Sequence, residues 1–334
     1  MMRVAVIGLG AFGTALSNTL ATNVDEVHLW GRDPALVAAV NELHENAQYL
    51  PGVPLSPRVR ATLELEEALR GASLVVSAMP SHATRQVMTQ ALPFLPRQTP
   101  IITVSKGIEN ETLLTMTELL QSCLPADFHP YLAVLSGPSF AKELALRMPT
   151  MVTIASHSED VARRCQEIFQ TEAFRAYTST DVIGVELGGA LKNVIAIAAG
   201  IADGLGFGHN ARAGIITRGL AEVTRMAVRR GANPHTLAGL SGMGDLVLTC
   251  TGELSRNRRV GIELGKGRAL EDILMEMKQV AEGVKTAKSA RDLARKVGVE
   301  LPICEQVYAI THEGKSPRVA VVELMTRQPR GELS

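Results

Sequence analysis

Lys192 sits in GVELGGALKNVIAIAAG, residues 184–200, a stretch otherwise made almost wholly of apolar or small residues. Helical spacing puts Val185, Gly188, Gly189, Ala196 and Ala199 on its face, so the amine stands among side chains of little bulk. A glycine inside a helix costs about 1 kcal/mol relative to alanine, and two in succession argue for close approach by a backbone or a ligand. One reading is a lysine snorkelling from the edge of a buried helix. The sharper one is a partly buried amine with a displaced pKa, able to trade a proton with an alcohol or ketone oxygen. Lys106, at the end of the strand-like PIITVSKG, and Asp245, in the glycine-rich GLSGMGDLVLTC, are candidates to tune it. A neighbouring ammonium and burial push such an amine's pKa down and a carboxylate pushes it up; residue types alone leave the winner open. Taken by themselves, Asp245 as a helix N-cap and Arg256, Arg258 and Arg259 of SRNRR as a solvated face are the plainer readings.

A second chemistry opens the chain. RVAVIG runs into GLGAFG, residues 8–13, and then into an apolar helical pattern. Gly8 suits a tight turn, Gly10 lets backbone approach a pyrophosphate, and Gly13 lets the helix pack close, which reads as dinucleotide binding at a helix N-terminus. The next strand ends Trp30-Gly31-Arg32-Asp33. An arginine there accommodates the 2′-phosphate of NADP, and a carboxylate accepts from the ribose of NAD, so Arg32 favours NADP while Asp33 leaves NAD open. SAMPSHA (77–83), Lys106-Gly107 and SGPSFAKE (136–143) each follow a strand pattern, at the end where ligands of such sheets bind. Ser139 reads as a helix N-cap, a ligand contact, or both.

These residues need elements to hold them. β-branched runs at 3–8, 26–31, 73–79, 100–106, 131–137, 150–156 and 174–180 alternate with helical patterns at 12–22, 34–45, 112–124, 139–147 and 159–170. Apolar strands separated by helix-length segments read as parallel strands covered on both faces. The expected fold is therefore α/β: an N-terminal Rossmann-like, doubly wound, mostly parallel sheet over residues 1–180, followed by an all-α domain over 181–334, where only helical spacing persists.

Composition excludes several classes. With 34 basic and 34 acidic residues the formal net charge is zero, so no global field recruits nucleic acid or an anionic membrane. The four cysteines form no CxxC pair and the eight histidines no HxxxH or HxH spacing, so neither a disulfide framework nor a metal site is expected, and a reduced, cytoplasmic setting is. The start lacks a signal-peptide pattern, and the apolar run VIAIAAGIA is roughly half of what a membrane span needs.

GLGAFGTAL, VSKG, SGPSFAKE, GVELGGALKNVIAIAAGIADGL, ITRGLAE, GMGDLVLTC and SRNRR together resemble bacterial NAD(P)-dependent glycerol-3-phosphate dehydrogenases, in order over nearly the whole chain. The resemblance implies reversible reduction of dihydroxyacetone phosphate to sn-glycerol 3-phosphate for phospholipid synthesis, NADP or NAD as cofactor, and a homodimer. It implies Lys192 as proton donor and acceptor with Asp245 and Lys106 beside it. Lys106, Gly137, Ser139, Lys192, Asp245, Ser255, Arg256 and Asn257 would surround the substrate, the last three at its phosphate. Gly8, Gly10, Ala11, Phe12, Gly13, Arg32, Lys106, Ala141, Arg256, Val280 and Glu282 would touch the cofactor. Under this resemblance, SRNRR offers a helix N-terminus and a guanidinium to a dianion. Two rivals stand beside it: a hydroxy-acid dehydrogenase of similar layout, and a non-catalytic dinucleotide sensor.

Overall fold

The computed structural model describes residues 2–277, 281–329 and 331–332. Its first half holds strands β1 (Arg3–Ile7), β2 (Glu26–Trp30), β3 (Val59–Thr62), β4 (Leu74–Ser77), β5 (Ile101–Thr103), β6 (Leu132–Ser136), β7 (Thr150–Ala155) and β8 (Phe174–Ser179). Between them run helices α1 (Ala11–Leu20), α2 (Pro34–Leu43), α3 (Leu65–Leu69), α4 (Ser81–Ala91), α5 (Met116–Cys123), α6 (Ala141–Ala145) and α7 (Glu159–Phe169). The strands form one sheet in the order β3-β2-β1-β4-β5-β6-β7-β8. Its order reverses between β1 and β4, which opens a crevice at their carboxyl ends.

Period-two alternation explains the layers. Along β1, Val4 and Val6 join Leu16 and Leu20 of α1 in one core, while Ala5 and Ile7 join Met88, Leu120 and Phe128 in the core on the opposite face. The sheet is mostly parallel, as expected; the exception is at the far edge, where β6 pairs antiparallel with β7, and β7 then pairs parallel with β8. Nor is β8 covered on both faces: Arg175 and Tyr177 point to solvent, as on an edge strand. Strand β3 and helices α3 and α4 escaped the sequence reading. The first has only four residues and an exposed Arg60, and α4 is largely polar.

The second half is helical throughout its described residues: α8 (Val182–Gly204), α9 (His209–Arg229), α10 (Pro234–Leu237), a π-helical turn at Leu240–Gly244, α11 (Asp245–Thr251), α12 (Arg256–Gly265), α13 (Leu270–Glu276), α14 (Glu282–Val297), α15 (Pro302–His312) and α16 (Pro317–Met325). Helix α8 is the axis around which the others pack. The VIAIAAGIA run understates it: the full helix has 23 residues and is long and apolar enough to cross a membrane, but 89% of its apolar window lies inside the protein. It is a core helix. Backbones meet where α8 crosses α12. A Cβ on Gly200 would fall 2.1 Å from the Arg258 carbonyl oxygen, and one on Gly261 would fall 2.1 Å from that of Ile197. Asp203 closes the same crossing by pairing with Arg258 at 2.7 Å and Arg212 at 2.8 Å.

Candidate active site

The buried centre lies between the sheet's carboxyl edge and α8. Lys192 is 7% exposed and Asp245 is fully buried. The π-helical turn delivers Asp245 as the first residue of α11, with Gly244 rather than Asp245 in the N-cap position, which leaves the carboxylate free to face inward. Its Oδ1 accepts from Lys192 Nζ at 2.5 Å and its Oδ2 from Lys106 Nζ at 2.6 Å. Lys106 Nζ also donates to the Gly137 carbonyl at 3.1 Å. Thr249, one turn along α11, donates its hydroxyl to the Asp245 carbonyl at 2.6 Å, so its lone pairs face Lys192 Nζ at 2.8 Å. Burial is the largest influence on Lys192 and lowers its pKa to about 8; the Asp245 carboxylate opposes this and the Lys106 ammonium adds to it. Two ammonium groups against one carboxylate leave the cluster with an excess of positive charge.

The two glycines before Lys192 have different neighbours. A Cβ on Gly188 would sit 2.6 Å from the Ser241 carbonyl oxygen in the π-helical turn, and one on Gly189 would sit 2.5 Å from Ser136 Oγ at the end of β6. Both approaches come from protein, one from backbone and one from a side chain. They seat α8 against the two segments that carry Asp245 and Gly137.

Helix α12 starts beside this cluster. Ser255 caps it, its side chain accepting from the Arg258 N–H at 3.2 Å, and no described residue accepts from the backbone N–H groups of Arg256 and Asn257. Asn257 is buried; its Nδ2 donates to Asn193 Oδ1 at 3.0 Å and its Oδ1 accepts from Gly283 N–H at 2.9 Å. That chain of bonds joins the residue after Lys192 to the starts of α12 and α14. Arg256 is exposed, with Glu282 the acidic group that acts on it electrostatically. A charged side chain beside two free helix N–H groups suits an anion.

At the other end of the crevice, the three glycines of GLGAFG differ in kind. Gly8 has φ +130°, and a Cβ there would meet the Ala78 carbonyl oxygen at 2.5 Å; a Cβ on Gly13 would meet the Gly8 carbonyl at 2.0 Å. A Cβ on Gly10 would meet nothing within 4 Å. Protein packing therefore demands Gly8 and Gly13, whereas no described residue demands Gly10. The buried hydroxyls of Ser77 and Ser136, at the carboxyl ends of β4 and β6, also lack hydrogen-bond partners among the described residues. A dinucleotide lying across these strand ends fits both observations. Ala11 opens α1, Ala141 opens α6, and Phe12 and Ala141 pack against one common core.

Comparison with known proteins agrees with this layout. Residues 3–162 match the model of the NAD-dependent glycerol-3-phosphate dehydrogenase N-terminus, and residues 181–322 that of the C-terminus. The chain belongs to the NAD-dependent glycerol-3-phosphate dehydrogenase family. It is 73% identical to a glycerol-3-phosphate dehydrogenase (NAD(P)+) of Myxococcus xanthus, covering 100% of this chain and 99% of the relative. It is 58% identical to the corresponding protein of Citrifermentans bemidjiense, over 99% and 98% of the two chains. A crystal structure of glycerol-3-phosphate dehydrogenase from Coxiella burnetii superposes with a TM-score of 0.92 at 38% identity, over 98% and 99%.

Within this member of the glycerol-3-phosphate dehydrogenase family, several readings from sequence change. Ser139 is not an N-cap: that position is Phe140, and the Ser139 hydroxyl donates to the Gly137 carbonyl at 2.9 Å. Asp33 caps α2, its Oδ1 accepting from Ala35 N–H at 2.9 Å and Leu36 N–H at 3.3 Å, while Arg32 stays exposed. Glu282, at the start of α14, accepts from Ser81 N–H at 3.2 Å; burial raises its pKa, and the Ser81 N–H and the Arg256, Lys106 and Lys192 charges pull it back. Val280 lies outside the described residues. Thr249 and Asn193 were missed. Thr249 repeats at i+4 from Asp245, the one spacing that could have marked it. Asn193 adjoins Lys192 in sequence but reveals its partner only in three dimensions. Among the described residues no group of three or more His, Cys, Asp or Glu side chains is placed to hold a metal.

Proposed function

We propose that this protein catalyses the reversible reduction of dihydroxyacetone phosphate to sn-glycerol 3-phosphate with NADPH or NADH, the product supplying the glycerol backbone of phospholipids. The observation that carries the reading is the buried Lys192–Asp245–Lys106 cluster, set beside a helix N-terminus that bears Arg256. The nicotinamide, when bound, supplies the hydride. Lys192 as an ammonium gives its proton to the oxygen of the ketone as negative charge develops there, and as a neutral amine takes that proton back in the oxidation. Asp245 orients both lysines through its two oxygens, and Lys106 holds a second positive charge against the same oxygen in a water-poor cleft, where such charge stabilises most. Thr249 accepts from the ammonium and fixes its direction.

The substrate's phosphate is taken by Arg256 and by the free N–H groups of Arg256 and Asn257, with Ser255 holding the helix end open. This grip is remote from the reacting carbon, so its binding energy orients the ketone beneath the lysines. Gly137 and Ser139 form the wall beside Lys106. Gly8, Gly10, Ala11, Phe12, Gly13, Ala141 and Glu282 line the cofactor's path, Arg32 selects for its 2′-phosphate, and Lys106 and Arg256 stand between the two ligands; Val280, a further expected contact, lies outside the described residues. Residues 1–180 thus form the dinucleotide-binding domain and 181–334 the substrate-binding and catalytic domain, with Lys106, Gly137 and Ser139 reaching the substrate from the first and Arg256 and Glu282 reaching the cofactor from the second. We further propose a cytoplasmic homodimer, which the four free cysteines and the exposed apolar side chains of α16 (Val319, Val322, Met325) support. Light scattering on the purified protein tests the dimer.

The deciding experiment is the rate of NADPH and NADH oxidation with dihydroxyacetone phosphate, unphosphorylated dihydroxyacetone and 2-keto acids. Turnover confined to the phosphorylated ketone is expected. Preference for a 2-keto acid favours a hydroxy-acid dehydrogenase, and cofactor binding without turnover favours a sensor.

A further inference from the structure

Two cations and an imidazole from three separate elements converge at the β2 side of the crevice. Arg32 leaves the carboxyl end of β2, His82 is the second residue of α4, and Lys285 lies in the first turn of α14. The contact between Ser81 N–H and Glu282 Oε1, at 3.2 Å, brings the starts of α4 and α14 together. Gly107 marks how tight this junction is, since a Cβ there would meet Ser81 Oγ at 2.8 Å and Thr286 Oγ1 at 3.7 Å. Lys285 follows Glu282 by three residues and so shares its face, on the side that looks toward His82. Both it and Arg32 act on the His82 imidazole: burial first, then the Lys285 ammonium, then the Arg32 guanidinium hold its pKa below the ordinary value, and no carboxylate counters them.

Among the described residues, no side chain of the three makes a hydrogen bond or an ion pair, and all three reach solvent. The nearest acid in sequence, Asp33, has turned its Oδ1 to cap α2. The two unpaired cations repel each other across a neutral imidazole and become favourable when a dianion enters, which the imidazole can meet as an N–H donor. A 2′-phosphate is such a dianion, and it is the one group that separates NADP from NAD.

We propose that Lys285 reaches across from the helical half to grip the cofactor's 2′-phosphate together with Arg32 and His82, so that both halves of the protein set the choice of NADP over NAD. This rests on the reading of Arg32 as the 2′-phosphate contact and extends it to a residue on a different element. One consequence is geometric. Because Lys285 and the Glu282 contact to Ser81 share one helical turn, binding of the 2′-phosphate pulls α14 toward α4 and reinforces the junction beside the catalytic cluster.

The test measures dissociation constants for NADPH and NADH by quenching of intrinsic fluorescence, in the full-length protein and its Arg32→Ala, Lys285→Ala and Lys285→Glu variants. Binding is read directly, so the outcome does not depend on the substrate assignment. Loss of one charge-assisted contact is expected to raise the NADPH constant by about tenfold more than the NADH constant in Lys285→Ala, and by more again in Lys285→Glu. Equal effects on the two cofactors, or none, in the Lys285 variants while Arg32→Ala selectively weakens NADPH would overturn this inference and leave the Arg32 reading intact. No selective effect in Arg32→Ala would overturn the Arg32 reading and this inference with it. Competition by 2′-AMP against 5′-AMP gives a second readout, with the advantage of 2′-AMP expected to shrink in Lys285→Ala.

Discussion

At the scale of single residues, the chemistry turns on how Lys192 is held. Burial outweighs the favourable carboxylate and brings its pKa to about 8, so ammonium and amine both exist near neutral pH. Reduction needs the ammonium, so its kcat/KM should fall as pH rises through about 8, and oxidation, which needs the neutral amine, should rise over the same range. Rate profiles in both directions check this; a break near the ordinary lysine value would refute it. The Thr249 hydroxyl accepts more strongly from the ammonium than from the amine, so Thr249→Val should move both breaks to lower pH. Lys192→Ala should leave NADPH affinity nearly intact and lower turnover by about 10²- to 10⁴-fold. Arg256→Ala should act chiefly on phosphate-bearing substrate, raising KM for dihydroxyacetone phosphate far more than for dihydroxyacetone.

At the scale of elements, glycines set the distances. Gly200 and Gly261 let α8 and α12 touch backbone to backbone, and those two helices carry the proposed proton donor and the proposed phosphate grip respectively. In Gly200→Ala the new methyl meets backbone of α12 at both the Arg258 carbonyl and the Ile262 nitrogen, so overpacking of about 1–3 kcal/mol is expected, with a higher substrate KM from the displaced start of α12. Thermal melts and steady-state kinetics on the same preparation measure both effects. The glycine loop allows a cleaner separation. Gly10→Ala should leave the melting temperature unchanged and weaken cofactor binding, whereas Gly13→Ala should destabilise the fold, because only the second meets protein.

At the scale of the whole molecule, two buried glutamates tie distant helices together. Glu186 of α8 accepts from the Thr117 N–H at 2.7 Å and hydroxyl at 2.6 Å at the start of α5, joining the helical half to the sheet half. Glu222 of α9 accepts from the Ile303 and Cys304 N–H groups at the start of α15, at 2.7 and 3.2 Å. Burial raises both to about 7 despite these bonds. The folded protein therefore holds more protons than the unfolded chain between about pH 4.5 and 7, and each glutamate's contribution to stability declines as pH rises across that window. Glu222→Gln removes the titration, so its stability relative to the parent should improve steadily from pH 5 to 8. Melts at several pH values would show this, and a constant difference would count against it.

The amino-acid sequence by itself determined what local periodicity and residue chemistry can encode. It marked a glycine loop between strand and helix, a sheet half followed by a helical half, and a lysine out of place on an apolar helix. It could not show that β7 runs antiparallel to β6, since buried strands of either direction read alike. It could not pair Asn193 with Asn257, 64 residues apart, although it did name Lys106 and Asp245, 139 apart, as partners of one lysine. Nor could it say whether burial or the carboxylate governs Lys192. Those outcomes depend on which surfaces exclude water from one another, a property of packed elements rather than of any segment alone.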